Sequence, residues 1–400
     1  MRPIIVLAFT SLTFFSGCFS GKAQKTMPVK NATYIETGAE RLEDYVHLLK
    51  GKRVGCVVHH ASRVGQRHLV DTLMALGIQV TKILAPEHGF RGTADAGEKI
   101  ENEKDPSTGL PVLSIYGKNK KPTPDQLKDL DLVLFDLQDV GARFYTYIST
   151  LHYILEACSE NKLPVIVLDR PNPHAHYIDG PVLEKGFESF IGMHQVPVVY
   201  GMTIGEYGKM IVGEGWTKAG KNIDLTVIPC GRYKRSMRYD LPLAPSPNLP
   251  NATAVLLYPT LCFLEGSQWS VGRGTDKQFQ IIGHPGMNTD FSFTPVPNVG
   301  AKDPFQKGKK CFGYDYSAKS REELFQMQKI DVALIVDIYQ KTVEAKQVFF
   351  LENLFFDKLA GNASFRKMLI ENKTEKDFRA AWQQGLNDFN KIRTKYLIYE

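Results

Sequence analysis

Apolar residues recur along the chain in two rhythms, and their alternation predicts the fold. Leu42, Tyr45, Val46 and Leu49 fall at helical spacing, and the run Arg53–Val58 that follows reads as a buried strand. A helix near Val70–Leu76 and a strand over Ile78–Leu84 complete a βαβ unit. Short apolar runs at Val112–Tyr116, Leu132–Phe135 and Pro164–Leu168 have the continuous hydrophobicity of strands covered on both faces. Between them, Pro122–Leu130 predicts a short helix, and Phe144, Tyr147, Ile148, Leu151, Ile154, Leu155 and Cys158 share one face of a longer one. Gly180–Gln195 has no period and reads as an irregular excursion. Thr203 and Glu206 form a capping box that opens the next helix, which gives Glu206 a structural task. From Leu324 the pattern alternates short strands and helices and ends in a long amphipathic helix over Phe378–Tyr396.

A chain of 400 residues with 43% hydrophobic content is better explained by two domains than by one. The proline-dense stretch Pro245-Ser246-Pro247-Asn248-Leu249-Pro250 is the natural boundary, giving domains over residues 39–247 and 248–400. The start of the chain has a different character. Arg2 precedes an apolar stretch, Ile4–Phe15, too short to span a membrane as a mature helix. Phe15-Ser16-Gly17-Cys18 then resembles a bacterial lipobox, so residues 1–17 read as a signal peptide, Cys18 as the lipidated residue and 18–38 as a tether. The expectation is a periplasmic protein held to a membrane only through that lipid, with plain secretion as the alternative.

Composition narrows the chemistry. Forty-nine Lys and Arg against 43 Asp and Glu give +6, but no basic block concentrates that charge, which argues against a nucleic-acid partner. The cysteines beyond Cys18 (Cys56, Cys158, Cys230, Cys262 and Cys311) are odd in number and lack CxxC spacing, so buried free thiols are expected. The first strand-to-helix turn lacks GxGxxG, which removes the main support for a dinucleotide. Gly215–Asn222 nearly spells a Walker A loop, but Asn222 replaces the magnesium-binding hydroxyl and a helix precedes it. His174 and His176 lack a third partner for a metal. No cofactor and no metal are expected.

Candidate chemistry lies at predicted strand ends, where open α/β sheets bind ligands. Leu84-Ala85-Pro86-Glu87-His88-Gly89-Phe90-Arg91-Gly92 presents Glu87, His88 and Arg91 in a glycine-flanked loop. Asp136, Gln138 and Asp139 follow the strand Leu132–Phe135 and precede Arg143 and Tyr145; Asp139 either serves a ligand or caps the next helix. Glu265, Trp269 and Arg273 stand among small residues, and a carboxylate, an aromatic face and a cation together suit a charged sugar.

These segments carry a family resemblance. Pro86-Glu87-His88-Gly89, Ala96-Gly97-Glu98, the run Asp136–Tyr147, Asp169-Arg170-Pro171-Asn172-Pro173, Pro245–Pro250 and Glu265-Gly266 resemble the NamZ family of exo-β-N-acetylmuramidases, in order from about Leu42 to the C-terminus. The resemblance implies a Rossmann-like N-terminal domain without a nucleotide, a smaller α+β C-terminal domain and an active site in the cleft between them. It implies release of N-acetylmuramic acid (MurNAc) from the non-reducing end of peptidoglycan-derived glycan fragments, with Glu87 as general acid. Such hydrolysis needs a second carboxylate unless the substrate's N-acetyl group replaces it. Asp139 is the first choice, ahead of Asp136, Glu98 and Glu265. Arg143 or Arg273 would pair with the lactyl carboxylate of MurNAc, and Tyr145 or Trp269 would stack on its ring. A non-catalytic muropeptide-binding lipoprotein is the competing reading.

Overall fold

The structure, a computed structural model, describes residues 34–87, 90, 103–117 and 119–400. Residues 1–17, which the sequence reads as a signal peptide, and Cys18, His88, Arg91 and Glu98 lie outside them. Residues Ile35–Glu400 form one compact unit.

Its frame is a seven-stranded sheet. In chain order the elements of the first half are α1 (Leu42–Leu49), β1 (Val54–Val58), a two-stranded hairpin of β2 (Arg63–Val64) and β3 (Arg67–His68), α2 (Leu69–Ala75), β4 (Val80–Ala85), β5 (Glu103–Lys104) and β6 (Pro111–Ser114). They continue with α3 (Pro124–Leu127), β7 (Leu132–Asp136), α4 (Tyr147–Glu160), β8 (Val165–Leu168), α5 (Ile204–Gly213) and β9 (Leu225–Ile228). The sheet order is β5-β6-β4-β1-β7-β8-β9, and every pairing is parallel except that of β5 with β6. The chain leaves β1 in one direction through β4 and β6, then crosses to β7 on the other side, so the carboxyl ends of β1 and β7 flank a topological switch point.

Alternate residues of these strands enter different cores, as a period of two requires. Val57, Val133, Phe135, Val165 and Val167 join α4, α5 and the C-terminal half in the larger core. Cys56, Val58, Leu132, Leu134, Ile166 and Leu168 pack beneath α1 and α2. Both faces are covered, which is why the strands read as unbroken apolar runs.

The second half contains α6 (Ala252–Leu261), a three-stranded antiparallel sheet ordered β10 (Ile281–His284), β12 (Cys311–Asp315), β11 (Phe291–Phe293), and then α7 (Arg321–Met327), α8 (Val332–Glu344), α9 (Phe355–Ala360), α10 (Ser364–Ile370) and α11 (Glu375–Arg393). Two expectations change. From Leu324 onward the chain forms helices with no intervening named strand, because Val332, Ile335 and Ile338, then Phe356 and Leu359, Phe365 and Leu369, and Phe378 and Trp382 bury three or four residues apart within their helices. The helix expected from Phe144 begins at Tyr147, so Asp139 caps nothing there. The capping box does hold: the Thr203 hydroxyl accepts Glu206 N–H at 3.3 Å while Glu206 accepts Thr203 N–H at 3.0 Å. The five cysteines are buried free thiols. Among the described residues no helix is long and apolar enough to cross a membrane.

Candidate active site

Beyond the carboxyl ends of β4 and β6 the two halves of the unit enclose a cavity of about 460 Å³. That is the size of a small-ligand pocket. Glu87, two residues past β4, lines it, with Tyr116 past β6 and Tyr145 and Thr146 ahead of α4. The Tyr116 hydroxyl donates to Glu87 Oε1 at 2.8 Å, and the Thr146 hydroxyl donates to Oε2 at 3.0 Å. Each oxygen of the carboxylate is thus held by a hydroxyl from a separate segment. Behind it, Gln138 N–H donates to His59 Nε2 at 3.0 Å, which leaves the proton of a neutral imidazole on Nδ1, 3.4 Å from the Tyr147 hydroxyl.

The charged residues at and beyond the end of β7 behave differently. Asp136 is fully buried and accepts Arg170 Nε at 2.5 Å and a terminal guanidinium nitrogen at 2.8 Å, an ion pair that binds the ends of β7 and β8 together. Gln138 donates to the carbonyls of Asp139 and Pro171, each at 2.9 Å. Asp139 accepts Gly141 N–H at 2.7 Å and the Tyr200 hydroxyl, while its other oxygen, Oδ1, has no partner. Burial pushes this carboxyl up to about 7, against the pull of its hydrogen bonds. Gly141 turns at φ +77°, where a Cβ would strike the Asn172 side chain, so only glycine closes this turn.

Arg143 is fully buried, and its terminal nitrogens donate to the carbonyls of Pro181, Val196, Leu359 and Ala360 at 2.6–2.9 Å. Burial lowers its guanidinium to about 9. Asp136, Asp139 and Arg143 are not among the residues lining the cavity. The expectation that Arg143 receives a substrate carboxylate is therefore corrected: it lies away from the cavity and its terminal nitrogens are taken by backbone carbonyls of both halves, while its Nε stays buried without a partner.

The C-terminal half supplies the facing wall. Arg273 Nε donates to Glu265 Oε1 at 2.6 Å, and both side chains are only about a fifth exposed. The guanidinium also lies over the Phe279 ring, 5.0 Å from its centroid. Tyr258, Phe279 and Phe355 add apolar surface, and Lys358 on α9 reaches the lining. Trp269 does not line the cavity. It is buried, with its indole N–H on the Thr342 hydroxyl at 2.9 Å, which corrects its assignment as a sugar platform. Tyr145 is at the lining but only 8% exposed, with its hydroxyl on the Pro245 carbonyl at 2.9 Å.

With this geometry in view, the comparisons are consistent along the whole chain. Residues 54–253 match the family described as exo-beta-N-acetylmuramidase NamZ, N-terminal, and residues 256–399 match its C-terminal counterpart. The chain belongs to the NamZ family. It is 38% identical over 421 aligned positions, covering all of both chains, to the peptidoglycan beta-N-acetylmuramidase NamZ of Bacillus subtilis strain 168. A crystal structure of a DUF1343 family protein from Bacteroides fragilis superposes with a TM-score of 0.84 at 38% identity, covering 92% of this chain and 99% of that one. A second from the same organism gives 0.78 at 28% identity with the same coverage.

The NamZ motifs divide into two kinds. Asp136–Arg143 and Asp169–Pro173 interlock as architecture: Asn172 donates to the Met202 carbonyl and accepts His174 N–H, each at 2.7 Å. His174 and His176 each meet a backbone carbonyl, of Val140 and Phe325. Glu87, Thr146, Ser246, Asn248, Glu265 and Arg273 instead face the cavity. Tyr116, Thr146, Phe190, Asn248 and Lys358 are lining residues that sequence reasoning missed. Tyr116 ends a predicted strand, and Thr146 and Asn248 lie inside quoted motifs, so a signal existed for these three. Phe190 and Lys358 arrive through tertiary packing and leave no local trace.

Proposed function

We propose that this cavity hydrolyses the β-glycosidic bond of a terminal MurNAc residue, releasing it from the non-reducing end of peptidoglycan-derived glycan fragments. The observation that carries the reading is Glu87: a carboxylic acid group at the wall of the cavity, oriented through both oxygens, in a chain of the NamZ family. Glu87 donates a proton to the leaving glycosidic oxygen. Among the described residues the other carboxylate of the lining is Glu265, and its ion pair with Arg273 fixes its position. Glu265 thereby replaces Asp139 as the residue for the second carboxylate role, and the substrate's 2-acetamido group is the internal alternative. Residues 39–247 then contribute the acid and residues 248–400 the facing wall. The lipobox at Cys18 supports a periplasmic enzyme tethered by lipid; an acyl mass on Cys18 in the membrane fraction is the expected result, and an unmodified, water-soluble mature chain would remove the anchor.

The test is product analysis with the purified full chain on glycan fragments capped by MurNAc or by GlcNAc. Free MurNAc from the first and no sugar from the second is expected. Binding of MurNAc-capped fragments without cleavage would make the chain a receptor, and GlcNAc release would place it in another specificity class.

A further inference from the structure

The proposed substrate carries an anion, the lactyl carboxylate at C3 of MurNAc, and the cavity wall has three described cations, Arg273, Lys120 and Lys358. They are not equivalent. Arg273 is neutralised within the wall by Glu265 at 2.6 Å and lies on the Phe279 ring. Lys120 is partly buried with its ammonium 4.3 Å above the centroid of Phe190, so an aromatic face already receives its charge. Lys358 is exposed, and no hydrogen bond or ion pair to it is found among the described residues. Its neighbour on α9, Asp357, cannot compensate it, because both oxygens of that carboxylate are held by Arg366 at 2.9–3.1 Å.

Lys358 is also well supported. The carbonyls of the next two residues, Leu359 and Ala360, are the ones that accept the buried Arg143 guanidinium at 2.9 and 2.7 Å. Gly361, which ends α9 at φ +74°, leaves room for that same guanidinium, since a Cβ there would lie 2.8 Å from it. Arg143, on the segment that leads to Thr146, thus ties the position of α9 to the side of the cavity that holds Glu87.

We infer that Lys358 is the specificity-determining residue that pairs with the lactyl carboxylate, and that it, rather than Arg273, separates MurNAc from GlcNAc. The inference rests on the muramidase reading above and adds to it a residue from the auxiliary half. A flexible ammonium gives one charge-assisted contact without demanding the fixed two-point geometry of a guanidinium, which suits a carboxylate on a rotatable lactyl ether.

The experiment compares the full-length protein with Lys358→Met and Lys120→Met on 4-nitrophenyl β-MurNAc and on its lactyl methyl ester. Calorimetric binding of free MurNAc and its methyl ester is measured alongside. For Lys358→Met, KM on the acid and Kd for MurNAc rise about tenfold or more, while the ester constants stay within about twofold of wild type. A loss of equal size on acid and ester, or a loss confined to Lys120→Met, overturns the assignment. If the wild type binds MurNAc in a Lys358-dependent way but hydrolyses neither glycoside, the hydrolytic reading fails and the role of Lys358 stands. If it hydrolyses both and Lys358→Met changes neither, the reverse holds.

Discussion

Two loops at the same edge of the parallel sheet look alike in sequence and end in opposite circumstances. The one after β4 places Glu87 at a cavity, its oxygens held by hydroxyls of Tyr116 and Thr146. At the end of β7, Asp136 closes the strand and Asp139 and Arg143 follow it, yet all three are buried, bound to Arg170, to Tyr200 and Gly141, and to four carbonyls. A strand end is a place where chemistry can occur, not evidence that it does. What separates the loops is whether polar groups keep a face toward open space after their internal partners are counted.

The comparison breaks most sharply at Glu87. Glu87→Gln keeps the shape and one accepting oxygen for the hydroxyls but has no acidic proton to give. Release of MurNAc should fall by about 10²–10⁴ with the unfolding midpoint nearly unchanged. A residual rate within about tenfold of wild type would show that the loop after β4 is architectural as well.

Arg143→Met is the complementary case. Four buried carbonyls lose their donor, and the expected cost is about 3–5 kcal/mol in urea unfolding. A soluble, fully stable variant with raised KM would instead return Arg143 to the substrate.

Asp139 tests the same loop through pH. Its carboxyl is raised from an ordinary 3.8 to about 7, so between those values the folded chain holds a proton that the unfolded chain has lost. Its contribution to stability is therefore largest below about pH 4, declines as pH rises and is gone above about pH 7. Asp139→Asn removes that decline, so its stability relative to wild type should improve between about pH 5 and pH 7.5, by about 1 kcal/mol or more. A pH-independent difference would mean that the carboxyl is ionised in the folded state.

The smallest effect belongs to the supports of Glu87. Tyr116→Phe removes one hydroxyl and should lower kcat/KM roughly tenfold, with the loss mainly in kcat. An effect confined to KM would make Tyr116 a substrate contact instead.

Much of the sheet was legible because strands covered on both faces must be apolar throughout; β1, β4, β7 and β8 all fall within two residues of where the pattern ends them. The start of α4 was not, since Phe144 and Tyr145 bury for tertiary reasons, against Tyr258 and the Pro245 carbonyl, before the helix begins. The late helices were misread as alternating with strands because their aromatic residues favour either state until their packing partners are known. In the site, Glu87, Glu265 and Arg273 were visible as charged residues beside glycines. Trp269 was misplaced because sequence does not reveal that Thr342 receives its indole. Lys358 was invisible because nothing within its own short helix distinguishes it from a solvated surface lysine.

The central claim is that the Glu87 wall of this cavity faces a scissile glycosidic oxygen. The direct measurement is a crystal structure of the full-length Glu87→Gln protein bound to a MurNAc-capped glycan fragment. The account predicts the terminal sugar between the two halves, with residue 87 within about 3 Å of the glycosidic oxygen. A fragment seated elsewhere, or one that turns that oxygen away from residue 87, would contradict it.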